Sequence, residues 1–205
     1  MFLINLIGAP GAGKSTMAAG LFHTLKKNGW NVEMITEYTK ELILTNNRHV
    51  LSDELLVFAE KYRRIKQMEN VDIVITDSPL LNSVVYGKMQ FGEEGESFFL
   101  KAAERFDSAY YVIERRVPYI PLGRMPDAEG AHKVGLELVN YLNITQTPWT
   151  SIPGDDEGLV DLISNVEWEA KKRGIQPLTE NTTYQQTKEG SEHYAPGLDT
   201  PKHLV

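Results

Sequence analysis

Eight residues near the start of the chain, Gly8-Ala9-Pro10-Gly11-Ala12-Gly13-Lys14-Ser15, fit the pattern G-x-x-x-x-G-K-[ST] at every fixed position. A chance match arises in roughly one chain of this size per hundred. Here the pattern also follows a short apolar run and opens a helical one, the context its chemistry requires. Glycines let the backbone curl until successive N–H groups face inward as an anion nest. A helix starting at Lys14 adds unpaired N–H groups and the positive end of its dipole. Gly8, Pro10, Gly11, Ala12, Gly13, Lys14, Ser15 and Thr16 are therefore expected to cradle the polyphosphate of ATP. Lys14 would reach the β- and γ-phosphates, Thr16 would touch the α-phosphate, and the Ser15 hydroxyl would ligate Mg²⁺. The plainer alternative is a glycine turn beside a surface lysine.

Two carboxylates stand where they can meet that cradle. Glu37 follows the extended run 31–36, and Asp77 follows the run 71–76. In a parallel sheet ligands collect at the carboxyl ends of strands, so both would point to the same mouth. Glu37 is assigned to an acceptor hydroxyl as general base and Asp77 to the metal, although either can instead cap a helix. Arg115, Arg116 and Arg124 lie in the loop-like stretch 114–126, where a cationic lid can supply charge to a transferring phosphoryl group. A solvated basic loop is the alternative there. Tyr119 in the same stretch can stack on a base or pack beneath the lid. Asp77 is followed by Ser78 rather than by a water-activating glutamate, and no guanine-reading motif occurs, which disfavours motor ATPases and GTPases.

The elements that must carry these groups follow from hydrophobic patterning. Strands are predicted at 2–7, 31–36, 71–76, 109–113 and, weakly, 148–153. Helices are predicted from Lys14 to Asn28, over 38–45, from Glu54 to about Glu69 with Leu55, Phe58, Tyr62 and Ile65 inward, within 95–106, from Asp127 to about Tyr141, and from Asp155 to about Arg173. Gly92-Glu93-Glu94-Gly95-Glu96 reads as an acidic surface loop, and Trp149 and Trp168 as packing for the sheet edge. Strands alternating with helices imply an α/β fold of the P-loop NTPase kind. It would have a five-stranded parallel sheet, helices on both faces, and a nucleotide-kinase-like short lid. Residues 1–173 form the expected domain, and 174–205 a polar C-terminal tail.

Taken together, the cradle, Thr36-Glu37-Tyr38-Thr39-Lys40-Glu41, Ile75-Thr76-Asp77-Ser78-Pro79 and the Gly123-Arg124 stretch before a helix resemble the small P-loop kinases. In particular they resemble the AAA-type ATP-binding family that includes bacterial ribosylnicotinamide kinase and many phage proteins. The likeness spans about residues 1–172. It implies ATP-dependent phosphorylation of a nucleoside-like hydroxyl on a nucleoside, a nucleotide or ribosylnicotinamide. The chain is also similar to deoxynucleoside kinases, in which an acidic residue after the second strand serves as base, as Glu37 would here. Those enzymes carry Asp-Arg after the third strand, where this chain has Asp77-Ser78. Phage kinases that phosphorylate hydroxymethylated pyrimidines within DNA, for base hypermodification, are a further related class.

Composition bounds the partners. A net charge of −7 excludes coating nucleic acid by bulk charge. The absence of cysteine excludes disulfides, thiolate metal sites and a cysteine nucleophile, and the five histidines lack ligand spacing. With no long apolar run and no cationic leader, the expectation is a cytoplasmic protein, in the host cytoplasm if phage-encoded, with no membrane contact and with oligomers allowed. The basic run Lys61, Arg63, Arg64 and Lys66 reads either as a contact for acceptor phosphate or DNA backbone, or as a solvated helix face. Tyr38, Phe58, Tyr62, Tyr86 and Phe91 read as pocket lining or as core. Two other function classes stay open: an ATP-hydrolysing switch and a nucleotide-sensing module.

Overall fold

A computed structural model describes residues 1–116 and 128–178. Five strands, β1 (Phe2–Ile7), β2 (Val32–Ile35), β3 (Ile73–Thr76), β4 (Asp107–Glu114) and β5 (Trp149–Pro153), form one sheet in the order β2-β3-β1-β4-β5. Every pair is parallel. β1 lies at the centre and is buried along its whole length. Its side chains alternate between the faces as the pleat demands. Phe2, Ile4 and Leu6 enter one core cluster, and Leu3 and Ile7 the other.

Among the described residues there are six α-helices, five of which cover the two faces. α1 (Lys14–Lys27) and α6 (Asp156–Lys172) pack on one, through Leu21, Leu25, Leu162 and Val166. α3 (Glu54–Lys66), α4 (Leu80–Ala103) and α5 (Ala128–Ile144) pack on the other, through Phe58, Ile65, Val84, Phe99 and Leu142. The short α2 (Tyr38–Leu44) follows β2 directly. Local chemistry sets several boundaries. α1 stops where Trp30 N–H returns to Leu25 O and Gly29 N–H to Lys26 O. The Asp53 carboxylate accepts from Leu56 N–H to start α3, and the Asp155 carboxylate accepts from Gly158 N–H to start α6. After α6, Ile175 packs on the core and Leu178 N–H reaches Gly29 O.

Three sequence expectations are corrected. Residues 92–96 are not a loop: a helix begins at Leu80, breaks at Gly92, and a second helical stretch, the one expected within 95–106, follows directly to Ala103, the two together forming α4. Gly92 takes φ 68°, a conformation costly for other residues, and turns the helix sharply there. Lys88 and Glu96 pair at 2.7 Å across that corner. Leu55 is half exposed, and the inward face of α3 is Glu54, Val57, Phe58, Lys61 and Ile65. Trp168 does not pack the sheet edge, being 58% exposed with the Lys172 ammonium 4.0 Å from its ring. Trp149 does sit on the edge strand, its ring N–H donating to Asn143 Oδ1. Among the described residues no helix is long and apolar enough to cross a membrane.

Candidate active site

The glycine loop leaves the carboxyl end of β1 and re-enters helix at Lys14. Gly8, Gly11 and Gly13 all have positive φ, which is how six residues turn a strand back into a helix within so short a span. Lys14 Nζ folds over the loop and donates to Gly8 O at 2.8 Å and Ala9 O at 3.2 Å. The loop between β5 and α6 presses on it: a Cβ on Gly154 would lie 2.5 Å from Glu114 O and 2.7 Å from Ala12 O. Arg115, at the end of β4, donates from Nη2 to Pro10 O at 2.8 Å. It is thus joined to the loop, while Arg116 turns outward and pairs with Glu114 at 2.9 Å. Arg124, Tyr119 and the proposed cap Asp127 lie outside the described residues, as does the segment from 179 onward.

Ser15 and Asp77 meet directly. The Ser15 hydroxyl donates to Asp77 Oδ2 at 2.5 Å. Asp77 is 5% exposed, and its Oδ1 is buried without a hydrogen-bond partner among the described residues. Burial pushes its carboxyl pKa up. The Ser15 hydrogen bond and the Lys14 charge oppose the rise, and the Glu37 charge adds to it. Two adjoining hard oxygen donors, one with an unsatisfied lone-pair set, suit a divalent cation that takes its remaining ligands from water and phosphate. No cluster of three or more His, Cys, Asp or Glu able to hold a metal alone occurs among the described residues.

A cleft of about 380 Å³ opens beside this pair. Its lining includes Ser15 and Asp77 together with Glu37, Lys40, Glu41 and Thr45. Glu37 occupies the N-cap position of α2, yet its side chain caps no backbone N–H. Its Oε1 accepts from Thr39 Oγ1 at 2.8 Å. Neither carboxylate is used up as a helix cap, so both stay available in one cleft.

The remaining candidates divide. Phe58 and Tyr62 are core aromatics, with Phe58 stacked on Phe99 at 4.4 Å. Tyr38 lies under the Arg64 guanidinium at 4.7 Å, while Tyr86 and Phe91 are partly exposed on α4. Arg63 and Arg64 both grip Glu60, Arg64 also pairs with Glu41, and Lys66 pairs with Glu69. Lys61 is not solvated at all but 5% exposed. Helical phase carried that signal, since Lys61 stands three residues after Phe58 and four before Ile65. Lys40, which lines the cleft, has no comparable signal beyond its closeness to Glu37.

Comparison with known proteins agrees with this geometry. The family described as an AAA domain matches residues 3–156. No curated protein matches the chain by sequence. Among solved structures the chain is similar to deoxyadenosine kinase from M. mycoides with bound dATP: 19% identity, TM-score 0.52, covering 80% of this chain and 97% of that one. A second structure of that kinase, with products dcmp and a flexible dcdp, gives 18% identity and TM-score 0.55 over 82% and 99%. The NadR protein in complex with NR gives 21% identity and TM-score 0.65 over 87% of this chain and 53% of that one, so the chain spans about half of NadR. At these identities the likenesses establish a shared fold, a parallel α/β sheet with helices on both faces. With the family match covering most of its length, the chain belongs to the AAA domain family.

Proposed function

We propose that this protein is an ATP- and Mg²⁺-dependent kinase that transfers the γ-phosphoryl group to a hydroxyl of a small nucleoside-like acceptor. The observation that carries this reading is the single cleft in which Ser15 and Asp77 face Glu37. The loop amides and Lys14 hold the phosphates. Ser15 and Asp77 hold Mg²⁺, which when bound neutralises charge on the phosphate oxygens. Glu37 accepts the proton of the acceptor hydroxyl as it attacks, and Thr39 keeps one of its oxygens aimed. Arg115, already joined to the loop at Pro10 O, stabilises the transferring group, with Arg116 and Arg124 as further lid cations. Ser151 to Asp155, pressed on the loop at Gly154, borders the adenine.

The acceptor class is supported by two features. Two of the similar structures are of a deoxyadenosine kinase. The cations of α3 that would have to track a DNA backbone are buried or paired within the protein, which favours a free nucleoside over a base within DNA. Incubation with γ-labelled ATP and a panel of nucleosides, mononucleotides, ribosylnicotinamide and hydroxymethylated DNA tests the proposal. Label is expected on a free nucleoside. Release of phosphate without transfer to any acceptor would overturn the kinase reading in favour of a switch.

A further inference from the structure

Lys61 has no role in the site as described, yet it is the buried ammonium of the described core. Burial lowers its pKa, which marks the environment as unfavourable to its charge. The contact ion pairs of α3 belong to Arg63, Arg64 and Lys66. Lys61 makes one long hydrogen bond, 3.4 Å to Ser83 Oγ on α4. Glu54, on the same inward face and also buried, is the nearest explanation: two opposite charges that neutralise each other in the core. That explanation is incomplete. Ser83 hydrogen-bonds the Glu54 carboxyl, but Glu54 Oε1 has no hydrogen-bond partner among the described residues, and the charges of Glu37 and Asp77 also act on the Lys61 ammonium.

The surroundings of Lys61 point to a second task. With Arg64 it lines a void of about 10 Å³ whose other walls include Thr36, Tyr38, Thr76 and Ser78. These four residues stand immediately before and after Glu37 and Asp77. The void holds roughly one water and no substrate, so Lys61 acts on the chain around it and not on a ligand. The pairing of β2 with β3 ends at Ile35 opposite Thr76. Beyond that rung no strand ladder fixes the residues that carry the two carboxylates.

We infer that Lys61 is a positioning residue: its buried side chain walls the gap beyond the last β2–β3 rung and so holds in place the segments that carry Glu37 and Asp77. Its effect on turnover rests on the kinase reading above; its effect on the segments does not.

The test compares wild type with Lys61→Met and with the double variant Lys61→Met/Glu54→Gln, which removes the core charges together and spares the fold a lone buried carboxylate. Amide hydrogen exchange, urea unfolding and labelled-phosphate transfer are read on each. The double variant is expected to unfold near the wild-type urea midpoint. Its amides at 36–38 and 77–78 should exchange about tenfold faster or more. Transfer to the nucleoside used by wild type should fall about a hundredfold in kcat, with KM for ATP little changed. Wild-type exchange at those amides would assign Lys61 to neutralising Glu54 alone and overturn the inference, as would a double variant that no longer folds. If wild type transfers phosphate to nothing, the kinase reading fails, and the exchange rates still decide the role of Lys61.

Discussion

The two sides of the cleft are built by different means. One side is a continuous segment, Gly8 to Thr16, whose backbone is shaped by three glycines of positive φ. The other draws Glu37 from the end of β2 and Asp77 from the end of β3, with Lys61, from the inward face of α3, at the small void beside the segments that carry them. A backbone cradle is fixed by the fold itself and tolerates little change in shape. A set of side chains from separate elements can be retuned one residue at a time, and it also needs devices that hold it together. Under the kinase reading the shared substrate ATP meets the rigid side, and the acceptor meets the adjustable one.

Lys14→Ala is the largest expected break in that contrast. It removes the one charged side chain of the loop, whose part-buried ammonium donates to Gly8 O and Ala9 O. Transfer should drop by about 10³-fold or more while the circular dichroism spectrum and urea midpoint stay near wild type. Transfer at the wild-type rate would place the phosphates elsewhere. Glu37→Gln probes the other side. Its carboxylate lines the cleft and caps nothing, so kcat should fall about 10²-fold or more, with ATP affinity by calorimetry nearly unchanged. Equal losses in affinity and turnover would show that Glu37 serves binding rather than proton transfer.

Gly154→Ala tests whether the loop side is as rigid as its contacts imply. The added Cβ meets two backbone carbonyls, Glu114 O and Ala12 O, and neither can move without shifting β4 or the loop. A loss of about 1–3 kcal/mol in stability is expected, with weaker ATP binding. A wild-type urea midpoint would mean that the loop yields.

The same contrast explains what could be read from sequence. The loop side is contiguous, so its spacing alone displays the glycine turn and the start of α1. The carboxylate side required the strand ends at Ile35 and Thr76 to be located first. That succeeded because β2 and β3 are short apolar runs ended by polar residues. What stayed hidden depends on phase and on space. Lys61 reads as one of four neighbouring cations until the turn of α3 separates it from Arg63, Arg64 and Lys66. The glycines at 92 and 95 read as a loop because composition cannot distinguish a flexible glycine from one required at a sharp helical corner.

The smallest expected effect lies on the outer face of α3. The Glu60 carboxylate accepts from Arg63 Nε at 2.7 Å, Arg63 Nη2 at 2.8 Å and Arg64 Nε at 2.8 Å. The Arg63 hydrogen bond, opposed by partial burial and joined by that of Arg64, pulls its pKa down from 4.5 to about 2. Between those values the unfolded chain binds the proton that the folded chain refuses, so stability rises with pH across this window. The contribution is fully present above 4.5 and is lost as pH falls through about 2. Arg63 is largely solvated, and screening keeps the contribution of the cluster small. Glu60→Gln should therefore lower the urea midpoint slightly at pH 7. The difference from wild type should shrink as pH falls below 4.5 and vanish near 2, with phosphate transfer at pH 7 unaffected. A transfer defect in Glu60→Gln would show that the outer cations of α3 reach the cleft, and would place the boundary between its structural and working faces on the wrong side of Arg64.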